Sequence, residues 1–302
     1  MGGRSMYYII PLSGDPDIGR KLAPLIGGKI VNIYTKEHPD GEQYIRLGDS
    51  VSGKRVLIVQ SMFPEQDRKY IELLLAIDAA IRAGASRVDV LVSYLAYARQ
   101  DKVFLDGEPI SVGAVLKGIR AVGAERLYVV EPHSEVASKI YGEDFIEIDG
   151  ISPLARAFTG EKNIAIFSPD LGGVERAQRL QSVMDSISGV YYIEKIRDRY
   201  TGEVVSVIRE DIDLKGKTVL IVDDIISTGG TIANASRLVR GRGASKVYVA
   251  CAHPLFIGDS INRIRGAGVD RIVCGRTVRR TVDGVEYIEL HDHIARRVLE
   301  SI

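Results

Sequence analysis

The sequence predicts an α/β protein built from two similar domains, each a mainly parallel sheet flanked by helices. Short apolar runs typical of buried strands alternate along the chain with segments whose apolar residues recur at helical spacing. The chain also contains an internal repeat, because residues 53–61 (GKRVLIVQS) match residues 216–224 (GKTVLIVDD) and residues 84–97 match residues 243–256. A length of 302 residues accommodates two domains of ordinary size.

We assign residues 1–149 to the first domain. Within it we predict strands at residues 6–11, 29–34, 44–47, 55–60, 87–93 and 126–130, and helices at residues 17–25, 67–83 and 111–122. The helix at 67–83 has apolar residues at helical spacing, among them Ile71, Leu75 and Ile81, and Gly84 follows as a typical C-terminal cap.

Residues 150–302 form the second predicted domain. Here we expect strands at residues 163–168, 190–194, 204–208, 219–222, 247–252 and 271–274, and a helix at residues 174–184. Between two of these strands, residues 195–203 (KIRDRYTGE) form a charged loop that fits a hairpin tip or a flap. The tail, residues 288–302, reads as a strand end and a helix that could pack back on the first domain.

Composition excludes several classes of function. The 40 acidic and 40 basic residues balance, so nothing suggests a nucleic-acid partner or an acidic membrane. Cys251 and Cys274 both lie in apolar strand-like runs, which favours buried thiols in a reducing compartment over a disulfide. We find neither a signal-peptide pattern nor an apolar run near the ~20 residues that span a bilayer, and we therefore expect a cytoplasmic protein.

The most informative stretch is residues 218–233 (TVLIVDDIISTGGTIA). A buried strand runs into the acid pair Asp223 and Asp224, and a turn rich in glycine and hydroxyl groups then leads into a helix. Such a turn exposes backbone N–H groups at a helix N-terminus and forms a phosphate cradle. The acid pair suits sugar hydroxyls or a magnesium ion, so the segment predicts a site for a phosphorylated sugar. The alternative is a tight turn with two solvated acids.

A second glycine-rich turn, residues 170–173 (DLGG), also separates a strand from a helix. It offers a second anion cradle, and Asp170 is placed to hold a metal ion. Lys195 and Arg197 lie in the charged loop, where cations could close over a phosphoryl group as charge develops. On spacing alone, residues 170–173 also fit an ordinary turn, and Lys195 and Arg197 also fit a solvated charged loop.

Three groups in the first domain are further candidates. His133 follows a predicted strand at the end that carries function in a parallel sheet, and Arg99 and Gln100 follow another. Asp40 and Glu42 are paired acids on a polar turn. Each group has a plain alternative: a structural histidine, a solvated loop and a surface turn, respectively.

Taken together, these motifs resemble those of the ribose-phosphate diphosphokinases, also called phosphoribosyl diphosphate (PRPP) synthetases. The motifs HPDGE, YARQDK, GEPIS, SPDLGGVERA, KIR and VLIVDDIISTGGT stand in that family's order and cover nearly the whole chain. The short flap is similar to that of archaeal members. The resemblance implies two phosphoribosyltransferase-like domains, the first binding ATP and the second binding ribose 5-phosphate.

In the first domain, the resemblance implies that Asp40, Gly41 and Glu42 bind the ATP base of a neighbouring subunit. It implies that Arg99 and Gln100 bind ATP within their own subunit. The protein would therefore be at least a dimer of identical chains.

In the second domain, it implies that Lys195 and Arg197 stabilise the transition state and that Arg197 also contacts ribose 5-phosphate. His133, from the first domain, and Asp170 would together hold Mg²⁺ with the ATP phosphates. The implied ribose 5-phosphate contacts are Asp223, Asp224, Ser227, Thr228, Gly229, Gly230 and Thr231. The family commonly has aspartate in place of Ser227 and an aromatic residue in place of His38.

The implied function is a transferase of nucleotide biosynthesis. It moves the β,γ-diphosphoryl group of Mg-ATP to the 1-hydroxyl of ribose 5-phosphate and gives PRPP and AMP. Two alternatives remain at this point. A phosphoribosyltransferase that consumes PRPP would explain residues 218–233 but would leave Arg99 and Gln100 without a role. A non-catalytic regulatory homologue would be expected to have lost residues such as Lys195 and the acid pair.

Overall fold

The computed structural model describes residues 7–197, 204–208 and 212–302. These residues fall into two compact units. Unit 1 is Met1–Ile148 with Thr277–Arg279 and Leu290–Ile302, and unit 2 is Asp149–Arg276 with Arg280–Glu289. The chain therefore returns from unit 2 to unit 1 twice near its C-terminus.

Unit 1 contains a six-stranded parallel sheet and a separate hairpin. Its strands are β1 (Tyr7–Pro11), β2 (Lys29–Ile30), β3 (Ile33–Glu37), β4 (Gln43–Leu47), β5 (Arg55–Gln60), β6 (Arg87–Val92), β7 (Leu127–Val130) and β8 (Phe145–Ile148). Its first helices are α1 (Pro16–Leu25), α2 (Gln66–Arg82), α3 (Ser111–Val122) and α4 (Val136–Tyr141). The sheet order is β2-β1-β5-β6-β7-β8, every neighbouring pair is parallel, and β3 and β4 pair antiparallel.

One prediction for unit 1 is wrong in detail. The strand predicted at residues 29–34 is broken into β2 and β3, because Asn32 leaves the sheet and is held by Asp49 Oδ2, which accepts from its backbone N at 2.7 Å. Helix α2 is confirmed, and among its apolar positions Ile77 is buried whereas Ile71, Leu75 and Ile81 are exposed. Its buried face comprises Lys69, Glu72, Leu73, Ala76, Ile77 and Ala80.

Unit 2 repeats the same sheet. Its strands are β9 (Ile164–Ser168), β10 (Ile187–Tyr192), β11 (Glu194–Arg197), β12 (Val204–Val207), β13 (Thr218–Ile226), β14 (Lys246–Pro254), β15 (Arg271–Gly275) and β16 (Glu286–Ile288). The remaining helices are α5 (Val174–Gln181), α6 (Gly230–Gly241), α7 (Ser260–Gly266) and α8 (His291–Glu300), with 3₁₀ segments at Ser152–Phe158 and Leu171–Gly173. The order β10-β9-β13-β14-β15-β16 matches unit 1 strand for strand, and β11 and β12 form a hairpin. The predicted repeat and the parallel sheets are thus confirmed.

The central strand β13 is longer than predicted. It runs through the acid pair to Ile226, because Asp223 pairs with Cys251 and Ile225 with His253 on β14. Its apolar residues alternate between two cores. Val219 and Ile221 pack on one face of the sheet, and Leu220 and Val222 pack on the other. A strand buried on both faces reads as a continuous apolar run, as the sequence predicted.

The C-terminal helix α8 belongs to unit 1, where it packs against α1. Arg126 donates from a guanidinium N to the carbonyl of Ser301 at 2.5 Å, and the hydroxyls of Tyr128 and Ser301 lie 2.6 Å apart. Cys251 and Cys274 are buried free thiols, as predicted, with their Sγ atoms 3.5 Å apart. Among the described residues, no helix is long and apolar enough to span a membrane.

Candidate active site

The best-formed site lies in unit 2, at the carboxyl end of two neighbouring strands. β9 and β13 are parallel partners, from Ile164 beside Thr218 to Phe167 beside Ile221. Their carboxyl ends therefore meet at one edge of the sheet, where parallel α/β sheets bind ligands. The structure brings the Asp170 loop, which follows β9, next to the acid pair of β13.

The acid pair is held in place by backbone and side-chain contacts. The backbone N of Asp224 donates to Asp223 Oδ1 at 2.9 Å, and the backbone N of Ile225 donates to Asp224 Oδ1 at 2.8 Å. Asp224 is buried, and its Oδ2 accepts a hydrogen bond from Arg176 at 3.2 Å. The Asp224 carboxylate is thus paired with the Arg176 guanidinium, and the Asp223 carboxylate lies close beside it.

The pKa of Asp223 is raised well above its ordinary value. Burial is the largest cause, followed by the charge of Asp224 and a hydrogen bond with it, and Asp170 adds to the rise. Arg176 acts in the opposite direction. Two close carboxylates resist ionising together, which is why the pKa of Asp223 is raised.

Arg176 is a residue of this site that sequence reasoning did not single out. It lies on the first turn of α5, and its side chain is 12% exposed beside an Asp224 side chain that is 4% exposed. Its position in the sequence indicates its direction, because a long side chain on the first turn of a helix points back toward the N-terminus and so toward the preceding loop.

The predicted phosphate cradle lies between β13 and α6. Gly229 has φ +74°, and a Cβ at this position would lie 2.9 Å from Ile264 Cγ1 and 3.0 Å from the Ser260 carbonyl. The loop is braced by Arg263, which donates to the Thr228 carbonyl at 2.9 Å. The N-cap of α6 is Gly229, which has no side chain to bond the first-turn N–H groups. These N–H groups carry partial positive charge, an arrangement that favours an anion.

The second predicted cradle follows β9. Ser168 Oγ donates to the Asp170 carbonyl at 2.6 Å and fixes the start of the loop. A Cβ on Gly173 would lie 2.5 Å from Ser168 Oγ and 3.2 Å from a guanidinium N of Arg176. Only glycine fits there, and its absent side chain lets Arg176 reach Asp224.

Lys195 and Arg197 lie in β11, which pairs antiparallel with β12. The prediction that residues 195–203 are a loop is therefore wrong for residues 195–197, and residues 198–203 lie outside the described residues. Asn234 on α6 donates to Ser206 Oγ on β12 at 2.7 Å, so the hairpin is attached to the helix that begins at the cradle.

In unit 1 the structure joins the loops that carry the other candidates. Ser134 Oγ, in the loop after β7, donates to Asp101 Oδ2 at 2.7 Å in the loop after β6. Arg99 and His133, one on each loop, are exposed. Gln100 accepts a hydrogen bond from the hydroxyl of Ser111 at the start of α3.

The candidates Asp40, Gly41 and Glu42 are exposed at the tip of the β3–β4 hairpin. Gly41 has φ +93°, and the backbone N of Glu42 donates to Asp40 Oδ1 at 3.2 Å. The tip therefore presents its acids to solvent in a defined turn.

The predicted metal ligands do not form a ready-made centre. Within the described ranges, no cluster of three or more His, Cys, Asp or Glu side chains is arranged to hold a metal ion. His133 belongs to unit 1, whereas Asp170 belongs to unit 2 beside the acid pair. Any metal bound here would need ligands from the substrate as well.

Comparisons with known proteins show the family of this chain. The family model described as the N-terminal domain of ribose phosphate pyrophosphokinase matches residues 7–123, and the phosphoribosyl transferase domain model matches residues 147–282. The chain is 36% identical over 282 residues to the ribose-phosphate pyrophosphokinase of Sulfolobus acidocaldarius, covering 93% of this chain and 96% of the relative. It is 37% identical over 292 residues to that of Saccharolobus solfataricus, with 95% and 98% coverage.

The fold is also similar to a solved structure. The phosphoribosylpyrophosphate synthetase of Mycobacterium smegmatis superimposes with a TM-score of 0.88 at 24% identity, covering 98% of this chain and 100% of that one. The two-domain match and the archaeal relatives both extend over most of the sequence. This chain therefore belongs to the ribose-phosphate pyrophosphokinase family.

Proposed function

We propose that this chain is an ATP:ribose-5-phosphate diphosphotransferase of nucleotide biosynthesis that makes 5-phospho-α-D-ribose 1-diphosphate and AMP. Family membership supports this class of reaction. The observation that carries it is the acid pair Asp223 and Asp224 beside an uncapped helix N-terminus, since this pairs hydroxyl acceptors with a phosphate cradle.

Ribose 5-phosphate would bind at the carboxyl edge of the unit 2 sheet. Its 5-phosphate would accept hydrogen bonds from the cradle, which comprises Ser227, Thr228, Gly229, Gly230 and Thr231. Its ring hydroxyls would donate to Asp223 and Asp224. Arg176 holds the Asp224 carboxylate in place by a hydrogen bond to Oδ2, and hydroxyl donors or a cation would lower the raised pKa of Asp223.

Mg-ATP is the proposed diphosphoryl donor. Arg99 and Gln100 would bind the nucleotide, and Asp40, Gly41 and Glu42 of a neighbouring copy would contact its base. His133 and Asp170 would hold Mg²⁺, which supplies neutralisation of the phosphate charge. The exposed hairpin tip and the exposed Arg99 and His133 are compatible with these roles.

Catalysis would then consist mainly of positioning and charge stabilisation. The 1-hydroxyl of the sugar attacks the β-phosphorus of ATP, the bond to the α-phosphate breaks, and AMP leaves. Lys195 and Arg197 would bring positive charge to the transferring group, with Arg197 also contacting ribose 5-phosphate. The attachment of β12 to α6 gives their hairpin a fixed base beside the cradle.

The proposed state of the protein is a homo-oligomer of at least two chains, because the hairpin tip is assigned to a neighbour's nucleotide. We also propose a cytoplasmic location. The two reduced, buried cysteines fit that compartment.

The test is formation of AMP from ATP, Mg²⁺ and ribose 5-phosphate, with PRPP measured in the same sample. Asp224→Asn should reduce turnover by about 10²-fold or more, since a buried acceptor for the sugar is lost. Asp185→Asn, an exposed carboxylate in the same unit, is the matched control and should retain full activity. Nucleobase-dependent release of pyrophosphate without AMP formation would instead identify a phosphoribosyltransferase.

A further inference from the structure

Unit 1 contains a cavity of about 380 Å³ that the proposed reaction does not use. It lies between the β3–β4 hairpin and the first turns of α2, with Ser13 from the loop after β1 also lining it. The volume falls at the lower end of the range for small-molecule sites.

The most unusual group in its wall is Lys69. This residue is 8% exposed, and its Nζ donates to Ser13 Oγ at 2.7 Å. An ammonium group has three donors, and within the part of the chain that the structure describes Ser13 is the hydrogen-bond partner of this one. Lysine is rarely buried without full pairing. The remaining donors of Lys69 can therefore bond a ligand at the cavity wall.

Glu72 neutralises part of this charge but does not use the spare donors. Its carboxylate accepts from Ser13 Oγ at 2.5 Å, from the Ser13 backbone N at 3.2 Å and from Gln60 Nε2 at 2.9 Å. Ser13 therefore stands between the lysine and the carboxylate. The carboxylate accepts from three donors, whereas the described residues give the ammonium group one hydrogen-bond partner.

A second unsatisfied group belongs to the hairpin. Gln43 Oε1 is buried and has no hydrogen-bond partner among the described residues, and Gln43 lines the same cavity. A buried amide oxygen without a partner is destabilising, because it has lost its hydrogen bonds to water. A ligand that satisfies both groups needs an acceptor for Lys69 and a donor, such as a hydroxyl, for Gln43.

The internal repeat relates the position of this cavity to that of the candidate site in unit 2. β1 and β5 hold the positions in their sheet that β9 and β13 hold in theirs, and α2 follows β5 as α6 follows β13. The first turns of α2 and the loop after β1 are thus the unit 1 counterparts of the two cradles. The N-cap residues of α2 and α6, Glu65 and Gly229, make no side-chain capping hydrogen bond within the described part of the chain.

We propose that this cavity binds a small hydroxylated oxyanion, either a phosphate monoester or a carboxylate. The acid group contacts Lys69 and the start of α2, and a hydroxyl donates to Gln43. An ion pair between Arg68 and Glu37 connects α2 to β3 at this cavity. Both side chains are more than a third exposed, so this contact can open at small cost and admit the ligand.

The experiment uses the full chain and three probes with related bodies: glycerol 3-phosphate, glycerate and uncharged glycerol. Binding is measured by calorimetry and localised by hydrogen–deuterium exchange. We expect glycerol 3-phosphate or glycerate, but not glycerol, to protect residues 33–47 and 65–72. The probe that protects identifies which acid group the site accepts. Protection by neither anion would overturn the proposal.

Lys69→Met should weaken the bound probe at least tenfold, about 1.4 kcal/mol. Lys117→Met, an exposed lysine on α3, is the matched control and should leave affinity unchanged. If Lys69→Met does not fold, Gln43→Met on the partly exposed hairpin should still weaken binding about threefold or more. Unchanged affinity in a folded variant of either residue would refute the site. Failure here leaves the proposed function intact, because the AMP-forming assay depends on the cradle of unit 2.

Discussion

The contact between Arg176 and Asp224 gives the sharpest test of how the acid pair is maintained. Replacing Arg176 by methionine keeps much of the side-chain volume and removes the guanidinium. Both partners are nearly buried, with side chains 12% and 4% exposed, so solvent compensates little for the loss. Breaking such a pair by removing one partner costs about 3–5 kcal/mol.

We expect the lower end of that range, about 3 kcal/mol, because Asp224 keeps its hydrogen bond from the backbone N of Ile225. For a unit of this size, that corresponds to a fall of roughly 10 °C in melting temperature. Arg179→Met is the matched control on the same helix. Arg179 lies 3.7 Å from Asp149, with side chains 29% and 24% exposed, and its loss should cost about 1 kcal/mol or less.

The pH dependence separates electrostatics from simple packing. Asp223 has a raised pKa in the folded state, so it contributes stability at acid pH that is lost as pH rises above its unfolded value of about 3.9. Arg176 lowers that pKa, so its removal deepens the loss at neutral pH. Calorimetric melting at pH 4 and pH 7.5 should therefore show a smaller deficit at pH 4. A deficit that is equal at both values, or no larger than that of Arg179→Met, would refute the reasoning.

Three further outcomes are expected. Gly229→Val should abolish ribose 5-phosphate binding in calorimetry, because φ is +74° and the added atoms meet Ile264, whereas Gly241→Ala, which meets nothing within 4 Å, should bind normally. Lys195→Ala should lower kcat by about 10²-fold or more with little change in KM, and equal losses in binding and turnover would show a ground-state role. The affinity for ribose 5-phosphate should rise with pH as Asp223 ionises, and Asp223→Asn should flatten that profile.

The parts of the fold that sequence predicted well are those that depend on local periodicity. The apolar run of β13 and the repeat between residues 53–61 and 216–224 specified two parallel sheets, which the structure confirms. The errors lie where contacts between residues far apart in sequence determine where a strand ends. β13 continues through Asp223 because β14 pairs with it, and β2 ends because Asp49 holds Asn32 outside the sheet.

The same distinction holds for the site. The acid pair and the cradle could be predicted because their residues are contiguous in sequence. The order of residue types within that one segment indicates their chemistry. Arg176 could not be assigned from its own neighbours, since its partner Asp224 is 48 residues away and only the adjacency of β9 and β13 unites them. The exposed face of α2 is a comparable case, because burial depends on what packs against a helix as well as on its apolar spacing.

Comparing Gln60 with Asp223, which the repeat aligns, gives a physical reason why we propose a sugar site at this point in unit 2 and none at the equivalent point in unit 1. Gln60 Oε1 accepts from the backbone N of Gly14 and of Ser61, both at 3.0 Å, and Nε2 donates to Glu72 at 2.9 Å and to the Lys69 carbonyl at 3.1 Å. Its hydrogen-bonding capacity is used inside the unit. The pKa of Asp223, by contrast, is raised by burial and by the charge of Asp224. The unit 1 position is therefore structural, whereas hydroxyl donors or a cation at the proposed unit 2 site would stabilise the ionised form of Asp223.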